Sequence, residues 1–477
     1  MVASKEVRSP DPGVSFKHTG CLPWHGCSIG SGSFSYQPCS GVILIREVVD
    51  APVIMGALKP VPNSPRKEVI QMLSLFVGVD VSLNNNVVYI MKPDGEKYGS
   101  LHVANTKSGA AALVDRIISA LNTLNLKKVV IGLEATSIYG DPFVMFLRED
   151  GKLASFDRAI HVLNPKLVNE FKKSYPDLPK NDDVDSFVIA DKLRFNRGIP
   201  PAFEPDYRYT ALQTLTRQRF CLVQNLTREK VRFGNYLFLK CSRLAQDKDF
   251  KNTSATTIAL MEQFDTIDDL ANADLNQLAA VVIKASNNHY VDPECIAKTI
   301  QAVAKGSYRL PRTVNDSINQ AMSVSIANMR FLEKQVKTLD AVILKQFEII
   351  PNTLISVPGI GKVYSAGIIA EIGNIRRFKS QASVAKYAGL VWNEHDSGNF
   401  EGEITRMIKS GNRYLRYYLL EAADSVRRYD SEYKAYYDRK FKEVNRFQHK
   451  RALALTARKL VRLIFRLMKD NRLYVTE

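Results

Sequence analysis

The segment Leu75-Phe76-Val77-Gly78-Val79-Asp80-Val81-Ser82 decides the fold of the first half of this chain. Its apolar residues form a nearly unbroken run of the length of one strand, which is typical of a strand buried in a sheet. The run ends at Asp80 and a serine hydroxyl. An acidic side chain that directly follows a buried strand is typical of a residue that holds a metal ion.

Three further carboxylates occupy similar positions. Glu134 ends a second apolar run, residues 128–134, and Asp182 and Asp185 lie where a Pro-rich stretch gives way to a helical pattern. Because they are three residues apart, Asp182 and Asp185 share one face of that helix. Hard oxygen ligands suit Mg²⁺ or Mn²⁺, and two such ions support phosphodiester chemistry. We expect the neighbouring Asp183 and Asp191 to be solvated.

A simpler interpretation is that these carboxylates cap helices or form surface ion pairs. It suits Asp182, where a loop leads into a helix. It suits Asp80 and Glu134 poorly, because both follow buried strands.

The composition indicates a globular protein with a polyanionic partner. The 477 residues carry a net charge of +17, with pI near 9.4, and the excess of Lys and Arg is largest toward the C-terminus. Such a charge favours nucleic acid, because basic side chains release counterions from phosphates. The sequence contains neither a signal peptide nor an apolar stretch of membrane-spanning length, so we expect a cytoplasmic protein.

The order of the patterns predicts the architecture. Three strand-like runs, with Pro93-Asp94-Gly95 as a hairpin turn, precede alternating helices and strands, which predicts a mixed sheet flanked by helices in the order of a ribonuclease H-like fold. The fold class is therefore α/β plus all-α. The predicted domains are a disordered or non-native extension (1–71), the α/β domain (72–204), a helical, coiled-coil middle (205–350) and a mostly helical C-terminal domain (351–477).

The helical middle contains an apolar repeat with steps of three or four residues, at Met322, Ile326, Met329, Leu332, Val336, Leu339 and Ile343. This spacing is typical of a coiled-coil seam. It indicates either packing within the chain or a dimer contact, and the sequence does not separate the two.

The C-terminal domain begins with a candidate DNA contact. Gly359 and Gly361 allow a tight turn, and Lys362 starts the next helix, which together indicate a helix-hairpin-helix that holds one phosphate. The alternative is a connection between helices that binds no ligand.

Basic residues surround Ser410-Gly411-Asn412 further along: Arg406, Lys409, Arg413 and Arg416. Tyr414, Tyr417 and Tyr418 are interleaved with them. This mixture suits nucleic acid, although tyrosines at helical spacing are more often core residues.

In this order, the motifs resemble those of the DEDD insertion-sequence transposases of the IS110 family, in which a RuvC-like domain is joined through helices to a C-terminal transposase domain. The three acidic segments resemble the family's acidic motifs. Four further segments resemble the family's C-terminal signature: residues 357–361, 387–390, 397–398 and 411–416.

The resemblance implies that Asp80, Glu134, Asp182 and Asp185 bind metal. It also implies a catalytic serine, which maps best onto Ser397, with Ser410 as the competing candidate. In such enzymes the serine attacks a DNA phosphodiester, which leaves a phosphoserine link and a free 3′-hydroxyl. Arg413 or Arg416 would then clamp a phosphate. Further implied are a guide RNA encoded beside the gene and a homodimer or tetramer.

Three other functions fit parts of the sequence. A metal-dependent nuclease such as a Holliday-junction resolvase would use the same carboxylates with water as the nucleophile. An actin-like ATPase or sugar kinase would need a second phosphate loop, which the sequence does not show. A non-catalytic nucleic-acid-binding protein would use the acids only as helix caps.

Overall fold

The computed structural model describes residues 73–475, except for 136–137, 176–178, 180, 197, 205, 249, 289, 393–395, 398–399 and 402–406. At 396–397 and 400–401 it describes the backbone only. The predicted extension 1–71 and the predicted DNA contact Arg406 therefore lie outside the described residues. Within the described ranges, no helix is both long and apolar enough to cross a lipid bilayer.

Five strands form a mixed sheet in the order β3-β2-β1-β4-β5. The strands β1 (Ser74–Val81), β2 (Asn85–Met91) and β3 (Lys97–Ala104) are antiparallel neighbours. The strands β4 (Lys128–Glu134) and β5 (Asp157–Leu163) extend the sheet parallel to β1. The predicted mixed sheet is thus confirmed.

Helices cover both faces of this sheet. On one face, α1 (Lys107–Thr123) and α2 (Gly140–Glu149) share a core with Leu75, Val77 and Val79 of β1. On the other, α3 (Pro165–Lys172) and α4 (Asp182–Phe195) share a core with Phe76. Successive residues of a strand point to opposite faces, and β1 is mostly apolar because both its faces are buried.

Two glycines let α4 lie directly on the sheet. A Cβ atom at Gly78 of β1 would stand 2.0 Å from the carbonyl oxygen of Ser186 and 2.5 Å from the amide nitrogen of Ala190. A Cβ at Gly132 of β4 would stand 2.7 Å from a methyl group of Leu193. The absence of these side chains sets the height of α4 above β1 and β4.

The middle of the chain is built on two long antiparallel helices, α5 (Tyr207–Lys240) and α11 (Arg312–Phe347). Ion pairs join them, among them Lys230 with Glu333 at 2.9 Å. Five shorter helices lie between them in sequence: α6 (Ser242–Gln246), α7 (Ala255–Gln263), α8 (Ile267–Asn272), α9 (Leu275–Ser286) and α10 (Pro293–Lys305). No strand interrupts the described part of this region.

The buried residues of the predicted apolar seam pack against other residues of the same chain. Met322, Ile326 and Met329 belong to a core shared with α5 and the shorter helices, and Ile343 belongs to the core of the C-terminal part. At these positions the repeat serves packing within the chain, and not a dimer contact.

The C-terminal part is mostly helical, as predicted. Its helices surround one core and are α12 (Lys362–Ile372), α13 (Gln381–Ala388), α14 (Arg413–Tyr429), α15 (Ser431–Lys442) and α16 (Gln448–Asp470). Between α13 and α14, two short antiparallel pairs form, β6 (Val391–Trp392) with β9 (Met407–Ile408) and β7 (Asp396–Ser397) with β8 (Phe400–Glu401).

The close packing of α4 predicts a cost for any side chain at position 78. Gly78→Ala places a methyl group inside the helix backbone, so we expect the free energy of unfolding to fall by about 2 kcal/mol, as for an overpacked core. Denaturant titration followed by circular dichroism measures this change. Gly151→Ala is the matched control, because a Cβ there meets no atom within 4 Å. Equal stability of the two variants would contradict this account of the packing.

Candidate active site and nucleic-acid interface

The four predicted metal ligands meet at one edge of the sheet. Asp80 and Glu134 follow Val79 and Leu133, which are register partners on the parallel strands β1 and β4. The carboxyl ends of neighbouring parallel strands lie at the same edge. The first turn of α4 carries Asp182 and Asp185.

The structure removes the simplest alternative for Asp182. The side chain of Asn181, and not that of Asp182, caps α4, since its oxygen accepts a hydrogen bond from the Val184 amide at 2.8 Å. Asp182 is exposed in the first turn. Its carboxylate is therefore not needed to cap the helix.

The electrostatics show that the four carboxylates act on one another. The pKa of the Glu134 carboxyl is raised to about 7, first by burial and then by the negative charges of Asp80 and Asp185. The pKa of Asp80 is raised by burial first, and then by Asp182 and Asp185. Neighbouring negative charges therefore add to burial in making Asp80 and Glu134 harder to ionise, as expected where negative charge lacks enough counter-charge.

The described cation at this edge is Lys172 of α3. Its Nζ lies 2.6 Å from Oδ1 of Asp185, and its charge lowers the pKa of Asp80 and Glu134, but burial and the neighbouring carboxylates outweigh this effect. One ammonium group does not balance four carboxylates. The group of acids therefore favours binding of a further cation.

The chemistry of the four side chains fits a hard divalent ion, because carboxylate oxygens are the ligands that Mg²⁺ and Mn²⁺ prefer. Among the residues described, however, no three His, Cys, Asp or Glu side chains converge closely enough to enclose an ion. The four acids, which we call the tetrad (Asp80, Glu134, Asp182 and Asp185), therefore lie at one edge of the sheet but do not form a coordination shell.

The prediction that Asp191 is solvated is wrong. Asp191 is buried, accepts a hydrogen bond from the hydroxyl of Tyr175, and pairs with Arg194 at 2.9 Å. It lies about two turns along α4 from Asp182 and Asp185, and its partner Tyr175 belongs to the segment that precedes this helix. Asp183 is exposed, and its Oδ1 lies 3.3 Å from Nε2 of His102.

The second candidate site lies between α13 and α14. The backbone of Ser397 pairs with Phe400 in the short β7–β8 ladder. Its side chain lies outside the described part of the chain, so its role as nucleophile stays a prediction. The competing candidate Ser410 is exposed and precedes Gly411, whose φ is +151°.

The predicted basic contacts divide into two kinds. Lys409 and Arg413 are exposed, and the Arg413 guanidinium lies over the rings of Tyr414, at 4.8 Å, and Phe220, at 5.9 Å. Arg416 instead donates hydrogen bonds to the backbone carbonyls of Ala388, at 3.0 Å, and Lys409, at 2.9 Å. It braces this loop from inside, as an arginine with several fixed donors can.

Of the interleaved tyrosines, Tyr418 is a core residue. Its ring is fully buried and its hydroxyl donates to the carbonyl of Thr216 on α5. Tyr417 stacks edge-to-face on Phe220.

The two glycines of the predicted hairpin differ in whether packing requires a glycine there. Gly359 has φ +91°, and a Cβ there would lie 2.8 Å from the backbone of Val426 in α14, so the turn must be glycine to approach that helix. Gly361 precedes Lys362 at the start of α12, and a Cβ there would meet nothing within 4 Å. Packing explains Gly359 alone. The segment before this turn is a short 3-10 helix, Leu354–Ser356, and the helix-hairpin-helix stays a prediction.

A buried glutamate that the sequence analysis missed holds this region together. Glu371, 1% exposed, accepts two hydrogen bonds from Arg217 of α5, at 2.7 and 2.9 Å, and one from Nδ2 of Asn412, at 2.6 Å. The other side-chain atom of Asn412, Oδ1, caps α14 through the amides of Tyr414 and Leu415. Glu371 therefore fixes the start of the helix that carries Arg413.

Two family models match this chain. A transposase model of DEDD type, named for IS110, matches residues 77–239, and a model described as "Transposase IS116/IS110/IS902 family" matches residues 352–438. The first match contains the tetrad. The second contains Glu371, both candidate serines and the basic loop.

Similar proteins point the same way. An uncharacterized 44.8 kDa protein of insertion element IS116 from Streptomyces clavuligerus is 25% identical over 84% of this chain and 96% of its own length. A 43.6 kDa protein of insertion element IS110 from Streptomyces coelicolor is 23% identical over the same shares. The transposase for insertion sequence element IS1111A from Coxiella burnetii is 32% identical over 16% of this chain and 20% of its own length.

These matches define the class of the protein: it is an insertion-sequence transposase, an enzyme that recombines DNA. The chain belongs to the IS110 family of these enzymes.

The Glu371 network predicts a measurable loss when its charge is removed. Glu371→Gln keeps the volume but leaves Arg217, which is partly buried, without its anion. We expect the free energy of unfolding to fall by about 2 kcal/mol, below the full cost of breaking a buried pair because Arg217 is partly solvated. Thermal and denaturant unfolding measure the change.

The matched control is Glu432→Gln, which removes the charge of an exposed glutamate paired with Lys459 at 2.5 Å. This change should cost less than about 0.5 kcal/mol. If the two variants lost the same stability, Glu371 would not have the supporting role described here.

Proposed function

We propose that this transposase cuts and rejoins DNA by attack of a serine hydroxyl on a phosphodiester, with a divalent metal held by Asp80, Glu134, Asp182 and Asp185. The single observation that carries the proposal is the gathering of these four carboxylates at one edge of the sheet, where Asp80 and Glu134 lie at the ends of neighbouring parallel strands and the first turn of α4 carries Asp182 and Asp185. The strand order β3-β2-β1-β4-β5, three antiparallel strands followed by two parallel ones, supports the ribonuclease H-like assignment.

The metal would supply electrophilic stabilisation of the phosphate and help to ionise the attacking hydroxyl. The chain's own contribution is the placement of its acids. The strands β1 and β4 fix two of them, and α4, resting on Gly78 and Gly132, brings the other two to the same edge. Lys172 would remain available to neutralise charge beside Asp185.

The proposed nucleophile is Ser397. Its Oγ would attack phosphorus, form a phosphoserine bond and release the 3′-oxygen, which takes up a proton and becomes the hydroxyl used for strand exchange. A serine is preferred to water because a second family model, at 352–438, matches this loop in addition to the model that matches the acidic domain at 77–239.

Exposed cations near the serine loop, which is the segment between α13 and α14 (residues 389–412), would hold the DNA. Lys409 and Arg413 are free to meet phosphates, and the ring of Tyr414 beneath Arg413 keeps that guanidinium extended. Lys362, at the start of α12, would add a phosphate contact at a helix N-terminus. Arg416 would act on the same surface indirectly, by holding the loop.

A structured guide RNA and a dimer or tetramer complete the proposal. The net charge of +17 supports a nucleic-acid partner beyond one DNA duplex, since many basic groups remain after those near the serine loop are assigned. Two DNA duplexes must be cut, which requires more than one active site.

Serine attack predicts a covalent intermediate. Incubation of the protein with its element's end DNA and Mg²⁺, followed by denaturing electrophoresis, should show a protein–DNA adduct that Ser397→Ala abolishes. Ser410→Ala is the matched control and should keep the adduct. Cleavage by Ser397→Ala at the parent rate, with no adduct in the parent, would instead establish the resolvase-like nuclease that uses water.

Metal binding by the tetrad predicts a specific loss. Asp80→Asn should weaken Mn²⁺ binding by at least about tenfold, measured by calorimetry, because one ligand charge is removed. Asp183→Asn is the matched control, since Asp183 adjoins Asp182 in the same helix turn but pairs with His102. Unchanged Mn²⁺ affinity in Asp80→Asn would remove the tetrad from the mechanism.

A further inference from the structure

Exposed apolar side chains collect at the edge of the sheet that carries the tetrad. In the described part of the α/β domain six large hydrophobic residues are exposed, and four of them lie in the connections at this edge: Leu83, Ile138, Tyr139 and Leu167. They follow the strands β1, β4 and β5. Single exposed apolar residues are common on protein surfaces, but a group of them beside one site favours a binding surface.

Asn105, which directly follows β3, fixes two of these connections. Its Nδ2 group donates to the carbonyl of Ser82 at 2.9 Å and to that of Tyr139 at 3.3 Å. Its backbone amide donates to the carbonyl of Asn84 at 2.7 Å. One residue therefore fastens the connection after β1 to the connection after β4. Leu83 is held between two anchored residues.

The apolar side chains project from this anchored backbone. Ile138 is 76% exposed and Leu83 is 59% exposed. Ile138 lies four residues after Glu134, and Leu83 lies three residues after Asp80. Because water solvates such side chains unfavourably, their exposure on a fixed backbone favours contact with an apolar surface. That surface has to come from whatever molecule binds at the tetrad.

DNA bases are the apolar surface that this position favours. Successive nucleotides of a strand are only about 3.4 Å apart along the duplex, so a phosphate at the tetrad brings its neighbouring bases to the same edge. Lys107 and Lys166, in the first turns of α1 and α3, are exposed there, and neither pairs with a carboxylate among the described residues. Proteins that kink DNA combine basic side chains for the backbone with apolar side chains that enter the base stack.

We propose that Ile138 and Leu83 form a wedge, which enters the base stack beside the phosphate at the tetrad and separates one base from its neighbour. The proposal rests on the function proposed above, because it needs DNA at the tetrad, but it does not depend on the serine. Separation of stacked bases is unfavourable, and burial of two apolar side chains against the base faces offsets it. The kinked strand presents its phosphate to the carboxylates at the edge of the sheet.

A photocrosslinking side chain identifies what covers the wedge. The full chain carries p-benzoylphenylalanine in place of Ile138 or, separately, of Leu83, and is irradiated with duplex DNA of its element's end. We expect both positions to crosslink to DNA, at nucleotides within about two steps of one phosphate, as mapped by primer extension. The control position is Leu73, which is 58% exposed at the opposite edge of the sheet and should give no DNA crosslink. Crosslinks to protein alone, or equal DNA crosslinks from position 73, would overturn the proposal.

Unstacking is measured with 2-aminopurine, whose fluorescence rises when it leaves the base stack. With this base at the crosslinked nucleotide, and Ca²⁺ in place of Mg²⁺ to prevent cutting, the parent should raise the fluorescence by at least about twofold. Ile138→Ser should lose most of this rise at saturating protein, and the matched control Leu73→Ser should keep it. The melting temperature of Ile138→Ser should stay that of the parent, because the side chain is exposed. An equal rise with Ile138→Ser and the parent would sink the wedge.

A substrate that is already unpaired separates the wedge from a merely structural role. On paired DNA, Ile138→Ser should form the covalent adduct about tenfold more slowly than the parent, since less apolar burial offsets the unstacking. On DNA with a mismatch at the same step, the two rates should agree within about twofold. A defect that persists on the mismatched DNA would contradict the proposal.

The wedge and the serine mechanism fail separately. Crosslinking and unstacking at position 138 without any adduct in the parent would remove the serine mechanism and keep the wedge. Normal adduct formation by Ile138→Ser on paired DNA would remove the wedge and keep the serine mechanism.

Discussion

The contact of α4 with the sheet is the constraint on which the acidic site depends. Asp80 and Glu134 are fixed by strand register, but Asp182 and Asp185 come from a helix that joins the sheet only through packing. At Gly78 and Gly132, α4 lies so close to the sheet that a Cβ methyl group would not fit between them. The far end of α4 is fixed by buried Asp191, which binds Tyr175 and Arg194. Four like charges are thus held together by apolar packing and by the hydrogen bond from Tyr175 to Asp191.

A second constraint joins the α/β domain to the serine loop. Helix α5 begins beside α2, where the Tyr207 hydroxyl donates to Glu149 at 2.5 Å, and three turns later it presents Arg217 to Glu371. Glu371 in turn orients Asn412, the cap of α14. One continuous helix therefore spans from the sheet to the loop that carries the exposed cations. A helix is stiff over this distance, so the position of the loop relative to α5 is set by side chains rather than by a flexible linker.

The parts that the sequence predicted are those encoded locally. The strands β1 and β4 are short apolar runs, and Asp80 and Glu134 lie at their ends, so the hydrophobic pattern was enough to place both. Helix α3 was missed although Asn164 and Pro165 form a normal helix start, because only eight residues follow. Asp191 and Glu371 were missed for a different reason. Glu371 pairs with Arg217, 154 residues away, and Asp191 accepts a hydrogen bond from Tyr175, 16 residues away on a different segment, and no local pattern contains these partners.

The positive charge of the chain serves two purposes that composition alone does not separate. Arg217, Arg219 and Arg416 are committed to carboxylates or backbone carbonyls inside the protein, where the planar guanidinium supplies several directed hydrogen bonds. Arg413, Arg462 and Lys469 are exposed and lack such partners among the described residues. Only the second group can release counterions from a polyanion. The net charge therefore indicates that nucleic acid is bound, while burial decides which basic residues can bind it.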